Sequence, residues 1–457
     1  MEQDLKDTLW KAANKLRGSL PAGQYKDVVL GLVFLRFVSE DHWKSLAVNV
    51  DSPHIGQLVD QVMDAVMTDG PALTDTLPRH YHRVDQRRLG ELIELLDKAR
   101  FSNGSRARDL MGEVYEYFLG GFARAEGRRG GEFFTPPSLV RVIVEVLQPK
   151  RGRVYDPCCG SGGMFVQTEQ FIADHDGEPA DITIYGQESV EETWRLARMN
   201  LAVHGIDGTG LAWGDTLVCD QHPGVQMDYV MANPPFNIKD WARDERDPRW
   251  CFGVPPAANA NFAWIQHILF KLAPTGRAAV VMTNGSMSSN SAGEGEIRAR
   301  IVDADLVSCM VALPAQLFRN TGIPVCLWFF DKAKGRRAGQ VLFIDARELG
   351  CLVDRAERAL TDDDVSRIAR TYRSWIAEDA DYQDVSGFCA SVSQDQIRSA
   401  GYVLTPGRFV GAAPEPGGDE PVGDKVARLT ADLLSALDES DRRDMALRDQ
   451  LGRVRPT

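Results

Sequence analysis

From Leu5 to Trp43 the apolar positions recur at helical spacing. They run Leu5, Leu9, Ala12, Leu16, then Val28, Val29, Leu32, Leu35 and Phe37, with breaks at Gly18 and Pro21, and predict two packed helices. The same period returns from Ile55 to Met67, Leu89 to Ala99 and Ala107 to Phe122, and no strand alternation precedes about residue 150. Residues 1–125 are therefore expected to form an all-helical domain. Beyond the linker Ala125 to Gly131 the pattern changes to short β-branched runs separated by helical stretches. The predicted strands are Arg153 to Asp156, Ile182 to Gly186, Tyr229 to Ala232, Ala278 to Thr283, Leu306 to Leu313 and Val325 to Phe330. The predicted helices between them include Met164 to His175, Val190 to His204 and Phe262 to Leu272. Such alternation implies parallel strands joined by crossovers, an α/β sheet covered on both faces, with ligands at the carboxyl ends of its strands. This domain is expected over residues 131–410. From Gly411 the run GAAPEPGGDEPVGD reads as a linker, and Lys425 to Leu451 as an amphipathic helix carrying Val426, Leu429, Leu433, Leu434, Leu437 and Leu447, either packed on the body or offered to a partner.

Composition narrows the class. The 457 residues are 44% hydrophobic and 26% charged, which is ordinary globular composition with ample material for a core. No stretch approaches the roughly 18 to 20 apolar residues of a membrane-spanning helix, and MEQDLKDTLW is acidic where a signal peptide would be basic and then apolar. A cytoplasmic protein without membrane contact is expected. Eight scattered cysteines without a Cys-x-x-Cys pair read as reduced thiols, and His80 and His82 lack a third ligand, so no metal is expected. With 52 basic against 65 acidic residues the net charge is −13. That excludes a surface given over wholly to phosphate binding, so a nucleic acid must be held by a local basic patch or with another subunit's help. Arg124, Arg128 and Arg129 form one small basic cluster.

Four segments carry candidate chemistry. Asp156-Pro157-Cys158-Cys159-Gly160-Ser161-Gly162-Gly163 joins a strand to a helix, where glycines let the backbone approach a ligand. It has neither a P-loop ending nor the GxGxxG spacing. Glu188 ends the next predicted strand, where a carboxylate accepts hydrogen bonds from a ribose diol. Asp215 follows a further helix and a short apolar run, and suits an exocyclic adenine amine, although a Gly-Asp pair alone is a turn. Asn233-Pro234-Pro235-Phe236 follows an apolar strand directly, and its prolines fix the backbone around the asparagine. Alone it would be a turn with a core aromatic. With the preceding loop it suits methylation of an amine conjugated to a ring or carbonyl. Such a nitrogen is a poor nucleophile until its N–H groups are held, here by Asn233 Oδ1 and the Pro234 carbonyl, with Phe236 stacked on the substrate. A base within duplex DNA would have to be flipped out, at a cost of a few kcal/mol.

Together these blocks resemble the modification (M) subunits of type I restriction-modification systems, which are N6-adenine DNA methyltransferases. The resemblance covers residues 4–410 through DLKDTLWKAANKLRG, YKDVVLGLVFLRF, GGEFFTPPSLV, YDPCCGSGGMFV, YGQES, RLARMN, MANPPF, FAWIQHIL, TGIPVCLWFF and GYVLTPGRF, in that order. It implies a class I S-adenosylmethionine-dependent methyltransferase fold, Rossmann-like with a mostly parallel sheet, preceded by an all-helical domain. It also implies a residue assignment. Glu132, Phe133, Phe134, Thr135, Pro136 and Pro137 match the segment over S-adenosylmethionine; locally, Thr135 also reads as a helix N-cap with Pro136 at the first helical position. Asp156, Ser161, Gly162 and Gly163 match the methionine loop, Glu188 the ribose ligand, Asp215 the adenine ligand, and Asn233, Pro234, Pro235 and Phe236 the catalytic tetrapeptide. Phe318 is a second aromatic wall for the flipped base or a core residue. The partners implied are double-stranded DNA with a flipped adenine, a specificity (S) subunit that chooses the sequence, a second M subunit, and restriction subunits. The helical front would clasp DNA and the carboxyl-terminal helix dock the specificity subunit. Two other readings stand beside this one: methylation of protein glutamine or rRNA, and a noncatalytic scaffold that clamps DNA.

Overall fold

The structure, a computed structural model, describes residues 22–70, 73–98, 135–175, 177, 181–318, 322–353, 357–377 and 382–412, with parts of 112–118 and 426–442. The chain up to Gly411 forms one compact unit and the chain from Ala412 a second.

Among the described residues the first unit opens with α1 (Ala22–Val38), α2 (Glu40–Ala47), α3 (Ile55–Asp69) and α4 (Gln86–Lys98). Their helical-period residues converge on one core that includes Val28, Leu32, Leu35, Trp43, Ile55, Val59, Met63, Leu89, Leu92 and Leu96. The indole of Trp43 donates to Asp97 Oδ1 at 3.0 Å, so the one polar atom this large side chain buries is satisfied. The expected helix at Leu5 to Leu16 lies outside the described residues, as does most of Ala107 to Phe122. Within the latter, Tyr115 and Phe118 are helical and buried in this same core.

The sheet strands are β1 (Gly152–Asp156), β2 (Ile182–Glu188), β3 (Leu211–Trp213), β4 (Met227–Ala232), β5 (Leu272–Thr283), β6 (Val307–Ala312), β7 (Val325–Asp331) and β8 (Gln340–Asp345), then β9 (Cys351–Leu352) and β10 (Arg358–Ala359) as a small separate ladder, and β11 (Cys389–Ser393). Among the described residues nine of them form one sheet in the order β11-β8-β6-β7-β5-β4-β1-β2-β3. The helices around it are α5 (Pro137–Leu147), α6 (Gly163–Asp174), α7 (Glu191–Val203), α8 (Asn261–Lys271), α9 (Glu294–Asp303), α10 (Asp362–Ile376) and α11 (Gln394–Ser399). Helices α5, α6 and α10 share an apolar core with one face of the sheet, and α8, α9 and α11 with the other. Helix α7 serves two cores at once. Ala197 and Leu201 pack toward the sheet, while Leu196, Met199 and Val203 join the helical core of α1 to α4.

The expectation of parallel strands holds for β1 to β5 and for the β6–β8 pair. It fails at β7, which lies antiparallel to both β5 and β6, and at β11, antiparallel to β8. The sequence could not separate these cases, because a strand covered on both faces reads as a continuous apolar run in either direction. Every residue of β7 is buried. The sheet is thus mixed, with its parallel half around the chemistry-bearing loops.

The first turn of α5 also departs from expectation. Pro136 is its N-cap, with φ −55° and ψ 131°, and the helix starts at Pro137. A residue before proline is driven out of the α region, so Pro136 cannot be the first helical residue. Thr135 is therefore one position too early to cap, and its hydroxyl is used elsewhere. At α10 the acidic run is a helix start: Thr361 and Asp364 form a reciprocal capping box. The eight cysteines are free. No helix among the described residues is long and apolar enough to cross a membrane. In the second unit the described residues of 426–442 are helical, and Val426, Leu429, Leu433, Leu434 and Leu437 are exposed.

Candidate active site

Strands β1, β2 and β4 are neighbours in register, with Asp156 beside Gly186 and Val154 beside Tyr229, so the loops that leave their carboxyl ends emerge side by side. Between these loops lies a cavity of about 520 Å³. This is where a sheet of this kind presents its ligands, because diverging crossovers leave a crevice there.

The loop after β1 turns tightly into α6 through two glycines in the left-handed region, Gly160 (φ +53°) and Gly162 (φ +81°). Gly163 opens α6, and a Cβ placed on it would meet no atom within 4 Å, so the backbone there faces open space. Asp156 is buried, and its Oδ1 accepts from the Cys158 amide at 3.0 Å. Burial pushes its carboxyl up to about 7, the charge of Glu188 pushes the same way, and the Cys158 amide opposes both. Glu188 holds the loop to the end of β2. Its Oε2 accepts from the Gly160 amide (3.1 Å), and Oε1 accepts from the Val190 amide (2.8 Å) and the Ser189 hydroxyl (3.3 Å). Burial raises its pKa and these hydrogen bonds pull it back. Asp215 accepts the amides of Leu217 (2.9 Å) and Val218 (3.4 Å) at Oδ1, while Oδ2 takes no hydrogen bond from the described residues. Thr216 donates its hydroxyl to the Pro157 carbonyl at 2.5 Å, tying this turn to the glycine loop.

Asn233 follows β4. Its amide nitrogen donates to Thr135 Oγ1 at 3.0 Å, which sets the orientation of the side chain. Its Oδ1 is then buried, with no donor among the described residues. An acceptor left in that state costs about 1–3 kcal/mol and marks a place where an incoming N–H would be satisfied. The chain after the tetrapeptide is locked by Asn237, at φ +55°, whose amide donates to Asn261 Oδ1 (3.0 Å) while Asn261 Nδ2 donates back to Asn237 Oδ1 (2.9 Å). Phe236 meets Phe318 edge to face, with ring centroids 6.0 Å apart.

Of the residues singled out from sequence, Thr135, Pro137, Asp156, Ser161, Gly163, Glu188, Asp215, Asn233 and Pro235 line this one cavity. Gly162 caps α6, Pro234 is buried in the turn, and Phe236 packs on Phe318. Glu132, Phe133 and Phe134, with the arginines 124, 128 and 129, lie outside the described residues. Sequence reasoning missed two residues. Trp264 of α8 lines the cavity, and its indole nitrogen is buried with no acceptor among the described residues. Asn200 of α7 donates to the Ser161 carbonyl at 2.9 Å and so supports the glycine loop from below. Both sit in apolar helical stretches, where a tryptophan reads as core and an asparagine as incidental. The unmatched polar atom is visible only in three dimensions.

The model of the N-6 DNA methylase family matches residues 106–416, and that of the HsdM N-terminal domain matches residues 5–42. The HindI type I restriction enzyme methylase subunit of Haemophilus influenzae is 46% identical over 410 residues, covering 87% of this chain and 92% of its own. The MjaIX methylase subunit of Methanocaldococcus jannaschii is 35% identical, covering 96% of this chain and 89% of its own. Among solved structures, the methyltransferase subunit of a type I restriction-modification system from Streptococcus thermophilus shares the fold with a TM-score of 0.72 at 22% identity, over 90% of this chain and 99% of that one. The fold, the cavity at its strand ends and these matches agree: the chain belongs to the N-6 DNA methylase family, as an adenine-specific DNA methyltransferase of the type I restriction methylase subunit kind.

Proposed function

We propose that the cavity takes S-adenosylmethionine and that Asn233 receives the target adenine amine beside it, so that this chain is the methyl-transferring subunit of a type I complex. The chemistry of the lining fits the cofactor. A space of about 520 Å³ holds a ligand of that size, with the Asp156 and Glu188 carboxyls toward its cationic and ribose groups and Asp215 and Trp264 toward its base. When bound, the cofactor supplies an electrophilic sulfonium methyl group. Asn233 Oδ1 accepts one N–H of the adenine amine, and the fixed turn at Pro234 offers a carbonyl to the other. As the N–C bond to the methyl group formed, the carbon–sulfur bond would break with its electron pair left on a neutral thioether, and these acceptors would stabilise the positive charge on the N–H groups until one proton left to solvent. Phe236, braced by Phe318, offers a face to the extruded base. The observation that carries this reading is the buried Asn233 Oδ1 without a donor, on a side chain fixed by Thr135.

In this assignment residues 1–125 form a DNA-clasping helical domain, 131–410 the methyltransferase, and 411–457 a linker and helix for the specificity subunit. That subunit chooses the sequence, a second M chain completes the modification complex, restriction subunits add to it, and the assembly works in the cytoplasm. Nucleoside mass spectrometry of DNA from methylation-deficient cells expressing this chain with its specificity subunit tests the proposal. N6-methyladenine is expected with the wild type and not with Asn233→Ala. A soluble complex that binds both S-adenosylmethionine and DNA yet leaves no methylated base would overturn it and turn attention to protein or RNA amides.

A further inference from the structure

The segment after the tetrapeptide, residues 237–260, contains neither helix nor strand, yet it is closely tied. Trp241 donates to the Pro256 carbonyl (3.1 Å), Arg243 to the Pro255 carbonyl (2.8 Å) and Trp250 to the Asp244 carbonyl (2.7 Å). The rings of Trp241 and Trp250 meet edge to face at 5.6 Å, and Trp250 packs with Leu217 and Trp264 in a small core of its own. The start of the segment, through Ile238, Asp240, Trp241 and Ala242, forms a wall of the cavity.

At the centre of this packing is Arg249, only 7% exposed. Its guanidinium pairs with both Asp247 oxygens through Nε (2.9 and 2.8 Å) and one terminal nitrogen (2.5 Å). The two terminal nitrogens then reach across to another loop, one to the Thr216 carbonyl and the other to the Leu217 carbonyl, each at 2.7 Å. The first also meets His267 Nδ1 at 3.3 Å. Burial, with the charge of Arg249, pushes His267 down to about 3, so the imidazole is neutral and accepts there. Its Nε2 then carries the proton and donates to the Tyr155 hydroxyl (3.2 Å), beside Asp156 at the end of β1. A buried cation is costly unless its donors are met, and here they converge on the two carbonyls that follow Asp215. The Leu217 amide in turn fixes Asp215 Oδ1, and Thr216 holds Pro157. A planar fork pairs both oxygens of the carboxylate and spans the two carbonyls in one fixed geometry, whereas an ammonium has only three donors, all set about a single atom.

We propose that Arg249 is a positioning residue for cofactor binding: it holds the Asp215 turn and the wall formed by the start of the 237–260 segment in one arrangement, so that a single buried fork sets the cofactor side of the cavity. The inference rests on the cofactor reading above. Isothermal titration of the full-length chain with S-adenosylmethionine, and steady-state kinetics of its complex with the specificity subunit, test it in wild type, Arg249→Met and Arg249→Lys. Arg249→Met raises cofactor Kd and KM about tenfold or more, with kcat at saturating cofactor and KM for DNA changed less than about threefold. Arg249→Lys falls between that variant and the wild type. A role confined to fold stability would lower Tm without this split. Cofactor Kd within about twofold of wild type in folded Arg249→Met overturns the inference, and if that variant does not fold, the same result in Arg249→Lys overturns it. Failure of the wild type to bind S-adenosylmethionine would overturn the cofactor reading as well.

Discussion

Asn233 and Thr135 are 98 positions apart, and one hydrogen bond between them decides which face of the Asn233 amide points where. Without it the amide would rotate and present N–H groups where an acceptor is required. Thr135→Val keeps the volume and removes the acceptor, so kcat is expected to fall about tenfold, equivalent to about 1.4 kcal/mol of barrier; single-turnover methylation at saturating cofactor reads it. Asp156 is a second case in which position governs chemistry. Its pKa of about 7 in the fold against 3.8 ordinarily means that the folded state holds the proton more tightly than the unfolded one. Stability from this group is therefore present at low pH, declines as pH rises from about 4 to about 7, and stays low above that. Urea midpoints at pH 5 and pH 8 should converge in Asp156→Asn relative to wild type, and an identical pH dependence in both proteins would refute the assignment. At this scale residue type and placement singled out Asn233, Asp156, Glu188 and Asp215 as candidates, and the family resemblance supplied the roles expected of them. The sequence placed Thr135 in the segment over the cofactor or at a helix cap, and did not reveal its bond to Asn233, which joins positions far apart in the chain.

Among the elements, β2 and β3 carry the chain into Glu188 and Asp215, and their spacing depends on small residues. The Gly210 carbonyl accepts from the Gly186 amide at 3.0 Å, and a Cβ added to Gly210 would stand 2.0 Å from the Ile184 carbonyl oxygen. Gly210→Ala must push the backbones apart. A loss of about 1–3 kcal/mol of stability is expected, together with weaker cofactor binding, since both acids ride on these strands; denaturant unfolding with and without S-adenosylmethionine checks both. Most elements were legible from periodicity, with β1, β2, β4 and α6 to α8 found within a few residues of their observed ends. Strand β3 is three residues long, too short for any alternation to register. The direction of β7 was illegible because direction leaves no mark on a strand buried on both faces.

Over the whole molecule, the charge of −13 makes long-range attraction to DNA weak. The chain alone is expected to bind duplex DNA no more tightly than the roughly 10⁻⁴–10⁻⁶ M range of non-specific contacts, with steep salt dependence. Addition of the specificity subunit should bring tight binding near 10⁻⁸ M. Fluorescence anisotropy across a salt series measures the difference, and equally tight, sequence-specific binding by the chain alone would contradict the division of labour. Helix α7 shows how the helical front is joined to the site. One of its faces is set in the core of α1 to α4, and Asn200 on the same helix supports the Ser161 carbonyl in the glycine loop.

The sequence by itself determined what local physics can encode: helical and strand periods, glycines where the chain must turn left-handed, prolines that stiffen a turn, and acids placed where strands end. These depend on neighbours within a few positions, and they were enough to indicate an α/β sheet; the roles expected of the glycine loop and of Asn-Pro-Pro-Phe came from the order of the blocks and the family they resemble. Only the tertiary structure decided that Thr135 orients Asn233, that Arg249 holds the turn of Asp215, that Trp264 faces the cavity and that β7 runs against its neighbours. Each of those depends on which distant groups remain to satisfy a buried donor, acceptor or strand edge, and that is settled only when the whole chain has packed.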